Sequence, residues 1–77
     1  MGIRATFAQN LRRLRAEKGI SQEELALRAD IDRTYISSLE RQVYGASIDV
    51  VEKIARAMNV NPAVFFQKPP PKAPKPR

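Results

Sequence analysis

The chain has 77 residues, 43% hydrophobic and 29% charged, with a net charge of +6 and neither Cys nor His. That length allows one domain, and a domain so small buries only about 60% of the surface its unfolded chain exposes. The missing Cys and His exclude a Ser-His-Asp triad, a thiolate nucleophile and the usual zinc sites, so no enzyme, metal or other cofactor is expected.

Taken in chain order, the sequence reads as helices with no strands. Ile3, Phe7, Leu11 and Leu14 recur at helical spacing. Thr6 and Gln9 offer a capping box for this first helix, although the apolar pattern begins before them. Gly19 ends it, with Lys18 in the last turn. In "ISQEEL", Ser21 is an N-cap, Glu24 completes a capping box, and Ile20 can staple to Leu25. The second helix is short, ending at Arg28 or Ala29. Asp32 caps a third helix, with Ile31 stapling to Ile36. A fourth helix follows Ser47, with an apolar stripe of Ile48, Val51, Ile54, Ala55 and Met58 and with Asp49 near the positive end of its dipole. Asn61 caps a last turn that begins at Pro62 and leads into Phe65 and Phe66.

The domain is expected to span residues 1–67, where ten Lys and Arg nearly balance eight acids. Residues 68–77, "KPPPKAPKPR", carry four cations and no acid. This composition suits a disordered, basic, Pro-rich tail with polyproline II character. The tail either adds non-specific affinity for DNA or only solubilises. No apolar run approaches the roughly 20 residues of a membrane span, and no leader is visible. A cytoplasmic protein with no membrane contact is expected.

The third helix, within "DRTYISSLER", carries the most informative surface. At 100° per residue, Ile36 and Leu39 fall on one side, with Tyr35 at its edge. Arg33, Thr34, Ser37, Ser38 and Arg41 share the opposite arc of roughly 140°. That arc has two cations, three hydroxyls and no acid. A merely solvated helix face mixes both signs to gain i,i+4 pairs. Ser and Thr are also mediocre helix formers, so propensity does not favour three of them here. All five side chains can bond phosphates or base edges of double-stranded DNA.

A capped short helix, a tight turn and a second short helix with this polar face make a helix-turn-helix. The stretch "SQEELALRADIDRTYISSLERQ" resembles the Cro/phage-repressor (XRE-like) helix-turn-helix family. The resemblance rests on Gln22, Leu25, Ala26, the Ser37–Glu40 ending of the third helix and the Ile54–Ala55 pair. It covers most of residues 6–66, and "DRTYISSLER" further resembles restriction–modification controller proteins. The family implies an all-α bundle of five helices and a cytoplasmic transcription regulator or repressor. It further implies a homodimer bound to an operator with two half-sites. By matched position, Arg33, Thr34, Tyr35, Ser37 and Ser38 are the base-facing candidates, and Gln22, Ser21 and Arg41 the phosphate-facing ones. Tyr35 could instead pack on the core edge. Glu40 should pair with Arg15 as a structural ion pair.

The sequence departs from the family where Asp30 and Gln42 replace glycines, and the second change leaves room for a third helix one turn longer. Val50, Val64 and Phe66 are apolar but fall off the main stripe, which makes them candidates for a dimer seam. Phe66 could alternatively fold back as a plug on its own core. No small-molecule pocket is indicated. The other function class consistent with this fold is a protein-interaction module whose polar helix meets a toxin or regulator.

Overall fold

The computed structural model describes residues 2–68, and the expected tail lies almost wholly outside them. Four α-helices and a final 3-10 turn follow one another: α1 (Ile3–Lys18), α2 (Gln22–Ala29), α3 (Arg33–Glu40), α4 (Ile48–Met58) and the turn Pro62–Phe66. The last element is thus not a fifth α-helix. Asn61 caps it by accepting from the Ala63 N–H at 2.9 Å, and it runs for only five residues. Among the described residues there is no strand, and no helix is long and apolar enough to cross a membrane.

The expected caps form on three helices. Ser21 accepts from the Glu24 N–H at 2.9 Å, Asp32 from the Thr34 N–H at 2.7 Å, and Ser47 from the Val50 N–H at 3.1 Å. Each such cap satisfies one N–H that the helix leaves open and contributes about 1 kcal/mol. Two details of the first two helices differ from the sequence reading. The Glu24 carboxylate pairs with Arg28 rather than closing its capping box. The first helix starts at Ile3, capped by Gly2 without a side-chain bond, so Thr6 lies inside it. Its hydroxyl donates back to the Gly2 carbonyl at 3.3 Å, a local bond open to Thr within a helix.

All four helices end near a left-handed residue, the next one after α1, α2 and α4 and the second, beyond Arg41, after α3. Just past each one, a residue with positive φ lets two N–H groups turn back onto the last open carbonyls. These residues are Gly19 (φ 65°), Asp30 (φ 57°), Gln42 (φ 63°) and Asn59 (φ 58°). At Gln42, its own N–H reaches the Leu39 carbonyl at 3.2 Å and the Val43 N–H reaches Ser38 at 2.9 Å. Hence α3 stops at Glu40 and does not run a turn longer.

One core joins the elements. It contains Phe7, Leu11 and Leu14 of α1, Leu25 and Ala26 of α2, Ile36 and Leu39 of α3, and Val51, Ile54, Ala55 and Met58 of α4, with Ile20 and Phe65. Helix α3 packs on α1 and α2, while α4 packs on α2. Burying Ile36 and Leu39 contributes about 1.5–3 kcal/mol each, and it fixes which side of α3 remains outside. Two members of the expected stripes are exposed instead: Ile3 at 68% and Ile48 at 88%. Ile48 shares the angular position of Ala55 but lies about 10 Å further along the axis, at the start of α4, where it stays exposed.

Asn10 is buried within the α1 stripe. Its Nδ2 donates to the carbonyls of Phe65 and Gln67, both at 2.8 Å, and its Oδ1 accepts from Arg13 Nη2 at 3.1 Å. A single amide therefore ties α1 to the C-terminal turn.

Candidate nucleic-acid interface

The candidate surface is built on α2, the turn 30–32 and α3. Asp30 in the left-handed region reverses the chain, and Asp32 starts α3 within two residues. Ile31 packs against the core between them. These contacts hold the two helices as one unit and present the outer side of α3.

On that side, Arg33, Thr34 and Arg41 are exposed and Ser37 is half-buried. Among the described residues, neither Arg33 nor Arg41 pairs with a carboxylate, whereas Arg13, Arg15, Arg28 and Arg56 each do. Both guanidiniums are therefore available to an outside anion. Ser38 lies on the predicted arc but is buried, at 5% exposure. It sits at the arc's edge, where the chain beyond α3 folds back and bonds its carbonyl. Tyr35 is half-buried against the core, and its hydroxyl donates to the Gly45 carbonyl at 3.4 Å. Its ring lies 6.4 Å from that of Tyr44. Tyr35 thus ties α3 to the following loop with its hydroxyl at the surface.

Ser21 and Gln22 stand at the start of α2, beside the end of α3. Ser21 is exposed and Gln22 is half-buried. Gln22 Nε2 donates to Glu40 Oε1 at 3.2 Å, a contact the sequence reading missed. Glu40 is 4% exposed and pairs side-on with Arg15, at 2.7 Å from Nε and 2.9 Å from Nη2. The Glu40 hydrogen bond is the main cause raising the Arg15 pKa above its ordinary value, partial burial works against it, and the carboxylate charge adds to the rise. Arg15 Nη1 also donates to the Ile20 carbonyl at 3.0 Å. One buried carboxylate thereby gathers α1, α2 and α3.

The three residues expected at a dimer seam divide. Val50 and Val64 are partly buried and pack on the chain's own core, so their place off the stripe does not leave them free. Phe66 remains 44% exposed, with its ring 5.8 Å from Phe7. Beside it, Ile48, Ala46 and Pro62 line an apolar depression. Ile3, Arg4 and Tyr44 border a second hollow that Phe66 also lines. The exposed apolar face runs through Ile3, Phe66 and Ile48.

Comparison with known proteins places this geometry. A helix-turn-helix family model matches residues 11–65. Control protein C.BamHI of Bacillus amyloliquefaciens is 46% identical over 61 residues, covering 78% of this chain and 75% of that protein. The crystal structure of a hypothetical transcription factor from Neisseria superposes with a TM-score of 0.84 at 40% identity, covering 88% of this chain and 78% of that one. The restriction–modification controller protein C.Esp1396I, seen as a tetramer in complex with its natural 35 base-pair operator, gives 0.78 at 35% identity, covering 86% and 87%. With the family model spanning most of the chain and the same helices present in order, this protein belongs to the helix-turn-helix family.

Proposed function

We propose that the chain is a cytoplasmic, sequence-specific transcription regulator that binds double-stranded operator DNA as a homodimer and reads the major groove with α3. The observation that carries this reading is the outer face of α3, where Arg33, Thr34, Ser37 and Arg41 stand with no acid among them. Arg33 lies at the start of the helix, the part that reaches base edges in this motif. Its guanidinium can bond two acceptors of one guanine, and the Thr34 and Ser37 hydroxyls can meet either base or phosphate. Ser21, Gln22 and Arg41 flank the groove as phosphate contacts, which set register without carrying sequence. Two copies are needed for selectivity, since one short helix offers few base contacts. Two α3 helices about 34 Å apart would face successive major grooves of a near-palindromic site.

Selection of bound sequences from a random duplex pool tests the reading. The expected result is one enriched motif with two-fold symmetry and half-sites about one helical turn apart. A pool that stays random, with no retardation of duplex at low salt, would overturn DNA binding altogether.

A further inference from the structure

The buried ion pair of the bundle ends on a residue of the proposed interface. Glu40 Oε2 is taken by Arg15 Nε, while Oε1 receives both Arg15 Nη2 and Gln22 Nε2. An ionised carboxylate only accepts hydrogen bonds, so it can be met by the amino end of the Gln22 amide and not by its carbonyl end. The contact therefore restricts the rotamer of Gln22 and fixes which way its amide points. One Nε2 hydrogen faces Glu40, and the half-buried side chain keeps its second hydrogen for another acceptor. Arg15 Nη1 also donates to the Ile20 carbonyl, a bond that closes the bundle without touching the Gln22 side chain.

We propose that Glu40 is a positioning residue for DNA binding, orienting the Gln22 amide so that its second hydrogen is presented ready-made to a backbone phosphate. This rests on the DNA-binding reading above. A free glutamine side chain must lose rotamer freedom when it contacts a phosphate, and here the folded protein has already removed that freedom. The carboxylate that closes the bundle thereby also sets phosphate affinity.

A double-mutant cycle read on a long mixed-sequence duplex tests this, since phosphate contacts do not depend on sequence. Gln22→Ala should weaken binding by about five- to tenfold, and Glu40→Gln, whose amide can turn either its oxygen or its NH2 toward Gln22, should weaken it by up to the same factor. The double variant should bind no worse than Gln22→Ala alone. If Glu40→Gln costs the same factor again in the Gln22→Ala background, Glu40 acts only through the fold and the proposal is wrong. Arg15→Lys keeps the Glu40 charge and its Gln22 contact; its melting temperature should fall while the affinity of the folded protein holds. An affinity loss matching that of Glu40→Gln would again assign the effect to the fold. Should Glu40→Gln not fold, NMR of the unaltered protein decides. Added duplex should move the outer Gln22 amide proton further than the one held on Glu40. Equal movement of both, or movement of neither, overturns the proposal. No binding of duplex by the unaltered protein would instead remove the DNA reading itself.

Discussion

Arg33 and Ser38 both lie on the outward arc that helical geometry draws on α3, yet only Arg33 is exposed. The arc depends on local angle alone, whereas burial at its edges depends on what the chain does next. At Ser38 the loop folds back, and at the opposite edge Glu40 is covered through its partners on α1 and α2. The centre of the arc was therefore legible in the sequence, and its limits were not. The Arg15–Glu40 pair was suggested only by family resemblance, since the two residues lie 25 positions apart. Gln22 joining them had no local signal at all. Asn10 did have one: a polar amide inside the apolar face of Phe7, Leu11 and Leu14 calls for buried partners. At this scale the decisive prediction is Arg33→Ala. It should relax preference at one base position in each half-site, costing about 1–3 kcal/mol there. Competition between the selected site and random duplex measures it. Equal weakening on both would make Arg33 a phosphate contact.

The helices themselves were readable because their start signals are local. Ser21, Asp32 and Ser47 each bond an N–H two or three residues ahead, and no tertiary contact is needed for that. Their ends were read less evenly. Gly19 and the Asn59 region announce a left-handed residue, but Gln42 does not, since glutamine has neither glycine's freedom nor a short side chain to offset the steric cost. It adopts φ 63° because the Ser38 and Leu39 carbonyls need the returning N–H groups and because Tyr35 holds the loop at Gly45. Tertiary structure overrides local preference there. The C-terminal turn shows the converse. Pro62 and Asn61 mark its start, but its end is held by the Phe65 and Gln67 carbonyls accepting from distant Asn10. Gln42→Gly should relieve the strain and stabilise the fold by about 1 kcal/mol. Chemical denaturation would show it as a higher midpoint at unchanged slope. A loss of stability would mean that the Gln42 side chain makes a contact outweighing the backbone relief.

Assembly belongs to the whole molecule, and there an outlying residue is most informative. The sequence pattern assigned Ile48 to the core stripe and Val50 and Val64 to the seam; the structure exposes Ile48 and packs the two valines inward. Helical periodicity reports angle and not position along the axis, so it could not show that Ile48, at the very start of α4, is left uncovered. An isoleucine 88% exposed beside a phenylalanine 44% exposed, which shares a second hollow with Ile3, is costly to leave in water. Covering a single such side chain contributes about 1.5–3 kcal/mol, and a two-fold partner would cover two copies of each. The Phe66 ring touches Phe7 while showing its other side to solvent, so it can serve as plug and seam together. For that reason Phe66 is a poor place to test assembly, because its loss also opens the core. Ile48→Asp is cleaner. Its side chain belongs to no buried cluster, and an Asp at the first position of α4 suits the helix dipole. The variant should melt within about 0.5 kcal/mol of the parent, as surface substitutions do. It should nevertheless sediment as a monomer, because each copy would have to bury an unpaired charge in the seam. Binding to a palindromic site should then fall steeply, while binding to a single half-site should not change. A variant that remains dimeric would place the seam elsewhere, and one that loses half-site binding would tie Ile48 to the DNA face instead.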